Sequence, residues 1–165
     1  RSGPQALEAM RNMMGRLKLT VNEAKTKVCR LPAESFDFLS YTFGRMYSPR
    51  NGHPYWGLRP AKKKLRQLRE KLSDLTSRRW VGLSEQEMVD RLNPVLRGWA
   101  NYFCRGTLSP AYTAIDRHVW HRLYRWFHRK YPTSAPSVAE LNQRLNTLGL
   151  VTLAALRKMS RAAKP

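Results

Sequence analysis

Residues 92–103 read Leu-Asn-Pro-Val-Leu-Arg-Gly-Trp-Ala-Asn-Tyr-Phe, and no other stretch of the chain is as informative. Four apolar residues recur here at the spacing of one helix face: Leu92, Leu96, Trp99 and Phe103. Three polar residues repeat every fourth position on another face: Asn93, Arg97 and Asn101. A planar cation between amides suits contact with phosphates and base edges. The stretch predicts a helix with one face in a core and another face on a nucleic acid.

Helical patterns lie on both sides of this stretch. An apolar stripe follows Pro60 (Leu65, Leu68, Leu72 and Leu75), and Ser84 with Glu87 forms a capping box for the helix that contains residues 92–103. Pro94 should kink or restart that helix. Ser109-Pro110 opens a long helix over residues 110–131, in which Ile115, Val119, Leu123 and Phe127 form the core face. Two shorter helices are expected from about Val138 to Leu145 and from Thr152.

The amino-terminal third has a different pattern. Residues 4–16 have helical spacing, whereas residues 26–31 and 36–43 are strand-like. Residues 44–59 form a turn cluster around Asn51-Gly52, a pair that favours a type I′ hairpin. The sequence therefore predicts an α+β protein that is mainly α.

The charge of the chain indicates its class of partner. Thirty-one Lys and Arg against eleven Asp and Glu give a net charge of +20, and this excess is spread along the chain. Such a charge attracts polyanions, so a nucleic acid is favoured over a membrane. No run approaches the roughly 18 apolar residues of a membrane span, and no apolar signal-peptide region is found at the amino terminus. We expect Cys29 and Cys104 to be buried thiols in a reducing compartment, the bacterial cytoplasm or alternatively an organelle.

Residues 92–131 closely resemble the group II intron maturase-specific domain, which is the thumb of intron-encoded reverse transcriptases. Residues 17–45 resemble the last palm motifs of those enzymes, and the residues that carry this likeness are Asn22, Lys25, Thr26, Phe36, Phe38 and Leu39. Ser40 stands where the family has a glycine. Arg59-Pro60-Ala61-Lys62-Lys63-Lys64 resembles the start of the thumb, and Leu148-Gly149-Leu150 resembles its closing element. The resemblance divides the chain into a residual palm segment, residues 1–58, with a short helix and an antiparallel hairpin, and an α-helical thumb or maturase domain, residues 59–165.

The resemblance also bears on catalysis. In the family, the catalytic Tyr-x-Asp-Asp turn lies upstream of the helix predicted at residues 4–16. Polymerisation needs carboxylates that hold two metal ions, and no pair among the eleven acidic residues is a substitute. We therefore expect no catalytic residues, no polymerase activity of the chain alone and no bound cofactor. Mg²⁺ would serve only the missing polymerase half or the intron RNA.

The expected RNA-binding residues form two groups. Phosphate contacts are assigned to basic residues of two helices: Lys62, Lys63, Lys64, Arg66, Arg69, Arg117, Arg122, Arg125 and Arg129. More selective contacts are assigned to Arg97, Asn101 and Tyr102, the last as a stacking ring. The alternatives are a solvated basic helix face for the lysine-rich run, an Arg97–Asp90 pair, and backbone hydrogen bonds from Asn93 and Asn101.

The aromatic and histidine residues of residues 110–131 carry two further interpretations. Trp120, Tyr124 and Trp126 could hold Arg122 and Arg125 by cation–π packing. Three histidines invite a metal interpretation: His118, His121 and His128. We expect no metal site, because no further acidic or Cys ligand follows at helical spacing.

The function expected from the resemblance is that of an RNA-binding maturase domain, which grips structured group II intron RNA and assists splicing or mobility. Two alternatives stay open. The chain could be a piece of a split or truncated RNA-directed DNA polymerase that acts with a fingers–palm fragment, or a non-functional remnant. A DNA target, a primer–template duplex and self-association are further partners that the resemblance implies; a membrane is not expected.

Overall fold

The computed structural model describes residues 3–23, 26, 28–48 and 50–162. Three strands precede most of the helices: β1 Phe36–Phe38, β2 Tyr41–Tyr47 and β3 Pro54–Pro60. Six α-helices are found in the described residues: α1 Gly3–Arg16, α2 Lys62–Leu75, α3 Glu85–Tyr102, α4 Ser109–Lys130, α5 Val138–Thr147 and α6 Leu153–Ala162. The predicted α+β class, mainly α, is confirmed.

The sheet is an antiparallel meander in the order β1-β2-β3. Residues 36–43, predicted as one strand, are divided between β1 and β2 by a two-residue turn at Leu39 and Ser40. Both turn residues have positive φ, 46° and 66°, which is the backbone of a type I′ turn. Neither residue type is typical of that turn, so the sequence concealed it. Ser40 therefore occupies a position where glycine would be unstrained.

Two further predictions for this third need correction. The strand predicted at residues 26–31 is not found in the described residues of that range, because all three strands of the sheet begin after residue 35. Val28 is exposed. The Asn51-Gly52 hairpin is present, but only Gly52 of that pair has positive φ. The connection is a six-residue loop, closed where the Ser48 amide donates to the His53 carbonyl at 3.0 Å. Lys25, part of the palm resemblance, lies outside the described residues.

Helices α2 to α6 share one hydrophobic core. The predicted core face of α4 is buried as expected, with Ile115 and Leu123 at 0 % exposure. On α3, Leu92 and Leu96 are fully buried and Phe103 follows at the end of the helix, whereas Trp99 is half-buried. Burying each such side chain stabilises the fold by about 1.5–3 kcal/mol. The apolar spacing of residues 92–103 thus decides how α3 packs.

Helix α3 begins and continues as its sequence directs, with one exception. Ser84 Oγ accepts from the Glu87 amide, and the Glu87 carboxylate accepts from the Ser84 amide at 2.7 Å, which confirms the capping box. The helix does not restart at Pro94 and runs unbroken to Tyr102. Pro94 lies on the exposed side, where water can satisfy the Asp90 carbonyl that loses its helical donor.

The sheet is joined to the helical core at the carboxyl end of α3. The Tyr41 hydroxyl donates to the Tyr102 carbonyl and the Tyr102 hydroxyl donates to the Leu39 carbonyl, both at 3.0 Å. The Thr107 amide donates to the Leu58 carbonyl at 2.8 Å along the outer edge of β3. The predicted division at residue 58 falls inside β3 and stays a prediction.

The environments of the two thiols differ from the expectation. Cys104 is exposed and Cys29 is partly buried, and both are free. Cys104 follows the carboxyl end of α3, where the chain leaves the core face. Its thiol is therefore exposed and not buried as expected.

Candidate nucleic-acid interface

Helices α2 and α4 lie side by side and run in the same direction. His118 Nε2 is 3.1 Å from the Arg69 carbonyl oxygen and 2.9 Å from Ser73 Oγ. Arg122, one turn later on α4, contacts Ser73 and Thr76, which are also later on α2. A carbonyl oxygen can only accept, so Nε2 of His118 carries a proton.

Arg122 secures the carboxyl end of α2. Its Nη2 donates to the Ser73 carbonyl at 2.7 Å and to the Thr76 carbonyl at 3.1 Å, and its Nε donates to Thr76 Oγ1 at 2.9 Å. Carbonyls at this end of a helix lack intrahelical donors, so the guanidinium satisfies groups that would otherwise stay unpaired. Of the residues predicted to contact phosphate, Arg122 is the one committed to hydrogen bonds within the described part of the fold.

The predicted cation–π packing of Arg122 and Arg125 is wrong. Trp126 is fully buried and its Nε1 donates to the Trp80 carbonyl at 3.0 Å, so its ring faces the core. The cation near Trp126 is Lys130, whose Nζ is 5.4 Å from the ring centroid. Periodicity placed these arginines and tryptophans on one helix but misjudged which faces they share.

Six basic side chains form what we call the α2–α4 seam: Arg69, His118, His121, Arg122, Arg125 and Arg129. Burial lowers the pKa of Arg122, and the charges of Arg129 and Arg125 lower it further. Burial is also the main cause that lowers the pKa of His118, and the charges of Arg69, Arg122 and His121 act in the same direction. The charged neighbours that act on these two groups are all cationic. An anion bound along the seam would relieve this repulsion.

Other predicted phosphate contacts continue from the seam. Lys62, Arg66 and Arg69 follow one another at spacings of four and three on α2, and Arg117 precedes His121 by four on α4, so each set shares a helix face. All are exposed. Lys63 is exposed as well, on the first turn of α2. The structure thus gathers most of the predicted phosphate contacts on two adjoining helices.

A groove between α2 and α3, about 560 Å³ in volume, contains two of the other predicted residues, Lys64 and Tyr102. Lys64 and Lys71 line the α2 side, and Gly98, Trp99 and Tyr102 line the α3 side. A Cβ atom at Gly98 would meet nothing within 4 Å, so the groove is open there. Lys71 was missed as a site residue; its signal was the seven-residue spacing from Lys64, which places both on one helix face. We call this space the α2–α3 groove.

Tyr102 borders the groove and also supports the fold. Its side chain is 55 % exposed, while its hydroxyl holds the Leu39 carbonyl. Its ring stacks on Tyr41, with centroids 6.4 Å apart. These contacts fix the orientation of a ring that is more than half exposed.

Arg97 and Asn101 lie on the exposed side of α3, outside the lining of the α2–α3 groove. Neither side chain has a hydrogen-bond partner among the residues that the structure describes, and Asp90 instead accepts from Gln86 at 2.9 Å. Asn101 lines a different cavity, of about 600 Å³, with Arg105 and Arg157. These two arginines come from separate parts of the sequence, so no local pattern could have indicated them.

Asn93 has a structural role instead. Its Nδ2 donates to the Gly149 carbonyl at 3.0 Å, and its Oδ1 accepts from the Val151 amide at 2.9 Å. The side-chain amide of Asn93 thus holds the segment between α5 and α6, where Gly149 has a φ of 74°. Of the three polar residues at four-residue spacing, Arg97 and Asn101 are therefore the two available for a ligand.

We expect His118 to make the stability of the protein depend on pH. Its lowered pKa means that the unfolded chain takes up this proton at a higher pH than the folded chain does, so stability falls as the pH drops below about 6.5. We expect His118→Gln, which retains an N–H donor, to lose less Tm than the wild type between about pH 7.5 and 5.5. Thermal unfolding at several pH values measures this; an unchanged pH dependence would contradict it.

Neither a metal site nor a membrane-spanning helix is found among the described residues. No group of three or more His, Cys, Asp or Glu side chains among them could hold a metal ion. None of the described helices is both long enough and apolar enough to cross a membrane.

A comparison with protein families finds one match. The family model of the group II intron, maturase-specific domain, matches residues 65–145, which contain the α2–α4 seam and the α3 side of the groove. A comparison with curated proteins finds no match. Through residues 65–145, the chain belongs to the family of the group II intron maturase-specific domain.

Proposed function

We propose that this protein binds the structured RNA of a group II intron and assists its splicing or mobility, while the RNA supplies the catalysis. The observation that carries the proposal is the α2–α4 seam. Burial lowers the pKa of His118 and Arg122, and the cationic side chains beside them lower it further, without a compensating carboxylate among the neighbours named above. Repulsion among the cations of such a surface lowers the stability of the folded protein, and a bound polyanion relieves that repulsion.

The seam supplies contacts that hold RNA without reading it. Arg125 and Arg129 are exposed, and their charges act on Arg122. Guanidinium groups in such an array can each take a phosphate in a bidentate manner. Because Arg122 is bound to α2, it contributes charge to the seam, while its exposed neighbours supply the direct contacts.

The exposed side of α3 supplies the more selective contacts. Arg97 and Asn101 are free of partners in the described part of the chain, and the Tyr102 ring is held nearby. A planar cation, an amide and an aromatic ring are the groups that recognise unpaired bases in RNA loops and bulges. Across the α2–α3 groove from Tyr102, Lys64 and Lys71 would hold the adjacent phosphates.

Arg97→Ala tests this division of roles. We expect it to weaken binding of a group II intron RNA by about tenfold more than binding of an unrelated structured RNA of equal length, because a base contact is lost. Filter binding or fluorescence anisotropy with both RNAs measures the effect. The matched control is Arg66→Ala, an exposed arginine of α2, which should weaken both RNAs equally. Equal losses for Arg97→Ala on both RNAs would reduce Arg97 to a general phosphate contact.

A second candidate function is supported by the amino-terminal third. Helix α1 has no buried residue, and apolar side chains such as Met13 and Leu17 are more than 60 % exposed. Surface of this kind marks an interaction site. The chain would then act with a fingers–palm fragment of an RNA-directed DNA polymerase. Mixing the chain with such a fragment should yield DNA synthesis on an RNA template that neither shows alone; no synthesis by the mixture would remove this candidate.

A further inference from the structure

One face of the β2–β3 hairpin packs on α3 at one end and is exposed at the other. Side chains two residues apart point to the same side of a strand, so Tyr41 shares a face with Arg45 and Tyr47. Tyr41 packs on α3, with its ring centroid 5.1 Å from that of Phe103. At the far end of the same face, Tyr47 is 62 % and Trp56 is 59 % exposed. Two large aromatic rings therefore extend beyond the core.

Arg45 links these rings. It pairs directly with Trp56 across the two strands, and its guanidinium carbon lies 5.6 Å from the centroid of the Tyr47 ring. Tyr47 and Trp56 are diagonal neighbours in this register, which places them roughly 7–8 Å apart. We call Arg45, Tyr47 and Trp56 the hairpin platform.

The opposite face of the hairpin is partly covered. Met46 is 9 % exposed, and a Cβ atom at Gly44 would lie 2.8 Å from Ser35 Cβ. The outer edge of β3 is also occupied, by the hydrogen bond between Thr107 and Leu58. The face with the platform is the one that presents large exposed aromatic rings to a ligand.

The charge of the hairpin favours one class of ligand. Residues 41–60 contain three arginines and one histidine and no Asp or Glu. An exposed Trp and Tyr could serve a protein partner as well, but a protein partner for this surface would have to be acidic. Aromatic rings interleaved with arginines are the arrangement that binds single-stranded nucleic acid, because each base has a face to stack and each nucleotide a phosphate.

We propose that the hairpin platform stacks unpaired bases of RNA on Trp56 and Tyr47, while Arg45 and Arg50 hold the neighbouring phosphates. The inference deepens the proposed RNA binding and rests on it, but it names a second surface outside residues 65–145. The rings select for the unpaired state of the RNA rather than for its sequence, since every base has a face that can stack. The seam would then hold folded RNA while the platform takes a single-stranded segment.

Trp56→Ala tests the proposal in the full chain. The probes are an oligouridine of about 12 nucleotides and an RNA duplex of about the same length. We expect affinity for the oligouridine to fall by about tenfold and affinity for the duplex to change less than about twofold. Tyr47→Ala should act in the same direction, and Trp56→Phe should keep most of the affinity. Met159→Ala is the control, since Met159 is 69 % exposed on α6 and should affect neither probe.

Fluorescence gives a second readout. Oligouridine should quench part of the tryptophan emission of the wild type, and Trp56→Phe should remove most of that quenching. Equal losses on both probes, or no loss on oligouridine, would overturn the proposal. Lost self-association in sedimentation with unchanged RNA binding would make the platform a protein interface and overturn it too. If intron RNA is not preferred over unrelated RNA but Trp56 still determines oligouridine binding, the proposed function fails and this inference stands.

Discussion

Reversing three charges of the α2–α4 seam, Arg69→Glu with Arg125→Glu and Arg129→Glu, should lower the affinity for group II intron RNA by at least about 100-fold at low salt. Each substitution removes a phosphate contact and adds a repulsive charge. All three side chains are exposed, so the fold should persist. Anisotropy with a labelled intron RNA measures the affinity, and circular dichroism checks the fold.

The control variant changes the net charge by the same amount elsewhere. Arg16, Lys18 and Lys158 are exposed cations outside the seam, and replacing all three with Glu should cost less than about tenfold. A comparable loss in both triple variants would show that net charge alone determines binding. The α2–α4 seam would then have no specific role in RNA binding.

Arg122→Met should lower the free energy of unfolding by about 2 kcal/mol, the largest stability effect that we expect from a basic residue. The methionine keeps an apolar stem but removes three hydrogen bonds, to the Ser73 carbonyl, the Thr76 carbonyl and Thr76 Oγ1. The carbonyls at the carboxyl end of α2 then lose their donors. Urea unfolding followed by circular dichroism measures the difference.

Arg125→Met is the matched control, since it makes the same substitution three residues later on the same helix. Arg125 is exposed and its charge acts on Arg122, so its removal should change stability by less than about 0.5 kcal/mol. It should instead weaken RNA binding. If Arg122→Met and Arg125→Met lower the free energy of unfolding equally, the hydrogen bonds of Arg122 do not contribute to stability.

The helical part of the fold was predictable because its determinants are local. The four-residue repeat of Ile115, Val119, Leu123 and Phe127 specifies a buried face, and Ser84 with Glu87 specifies a helix start. Burial and capping act within one or two turns, so their signals survive in a single sequence.

The errors arose where a distant residue decides the local structure. The turn at Leu39 and Ser40 has positive φ without a typical turn residue, and it is held from outside. Tyr102 donates to the Leu39 carbonyl and the Ala61 amide donates to the Ser40 carbonyl. Such support from other elements can stabilise a strained turn, and no pattern in residues 36–43 reveals it.

The candidate site was predictable in residue type but not in arrangement. Composition and resemblance indicated basic residues on α2 and α4, and both helices carry them exposed. Helical spacing could not show that Arg122 points to Thr76 while Arg125 faces solvent. The hairpin platform was missed because Arg45 and Trp56 become neighbours only through the register of β2 and β3.

The central claim is that the protein recognises group II intron RNA beyond a general attraction to polyanions. Its most direct test is the Kd of the wild type for an intron RNA and for an unrelated structured RNA of equal length, across a salt series from about 50 to 500 mM. We expect both affinities to fall with salt and the preference for the intron RNA to persist at the highest salt, because base contacts made by Arg97, Asn101 and Tyr102 do not depend on counterion release. Two curves that coincide at every salt concentration would contradict it.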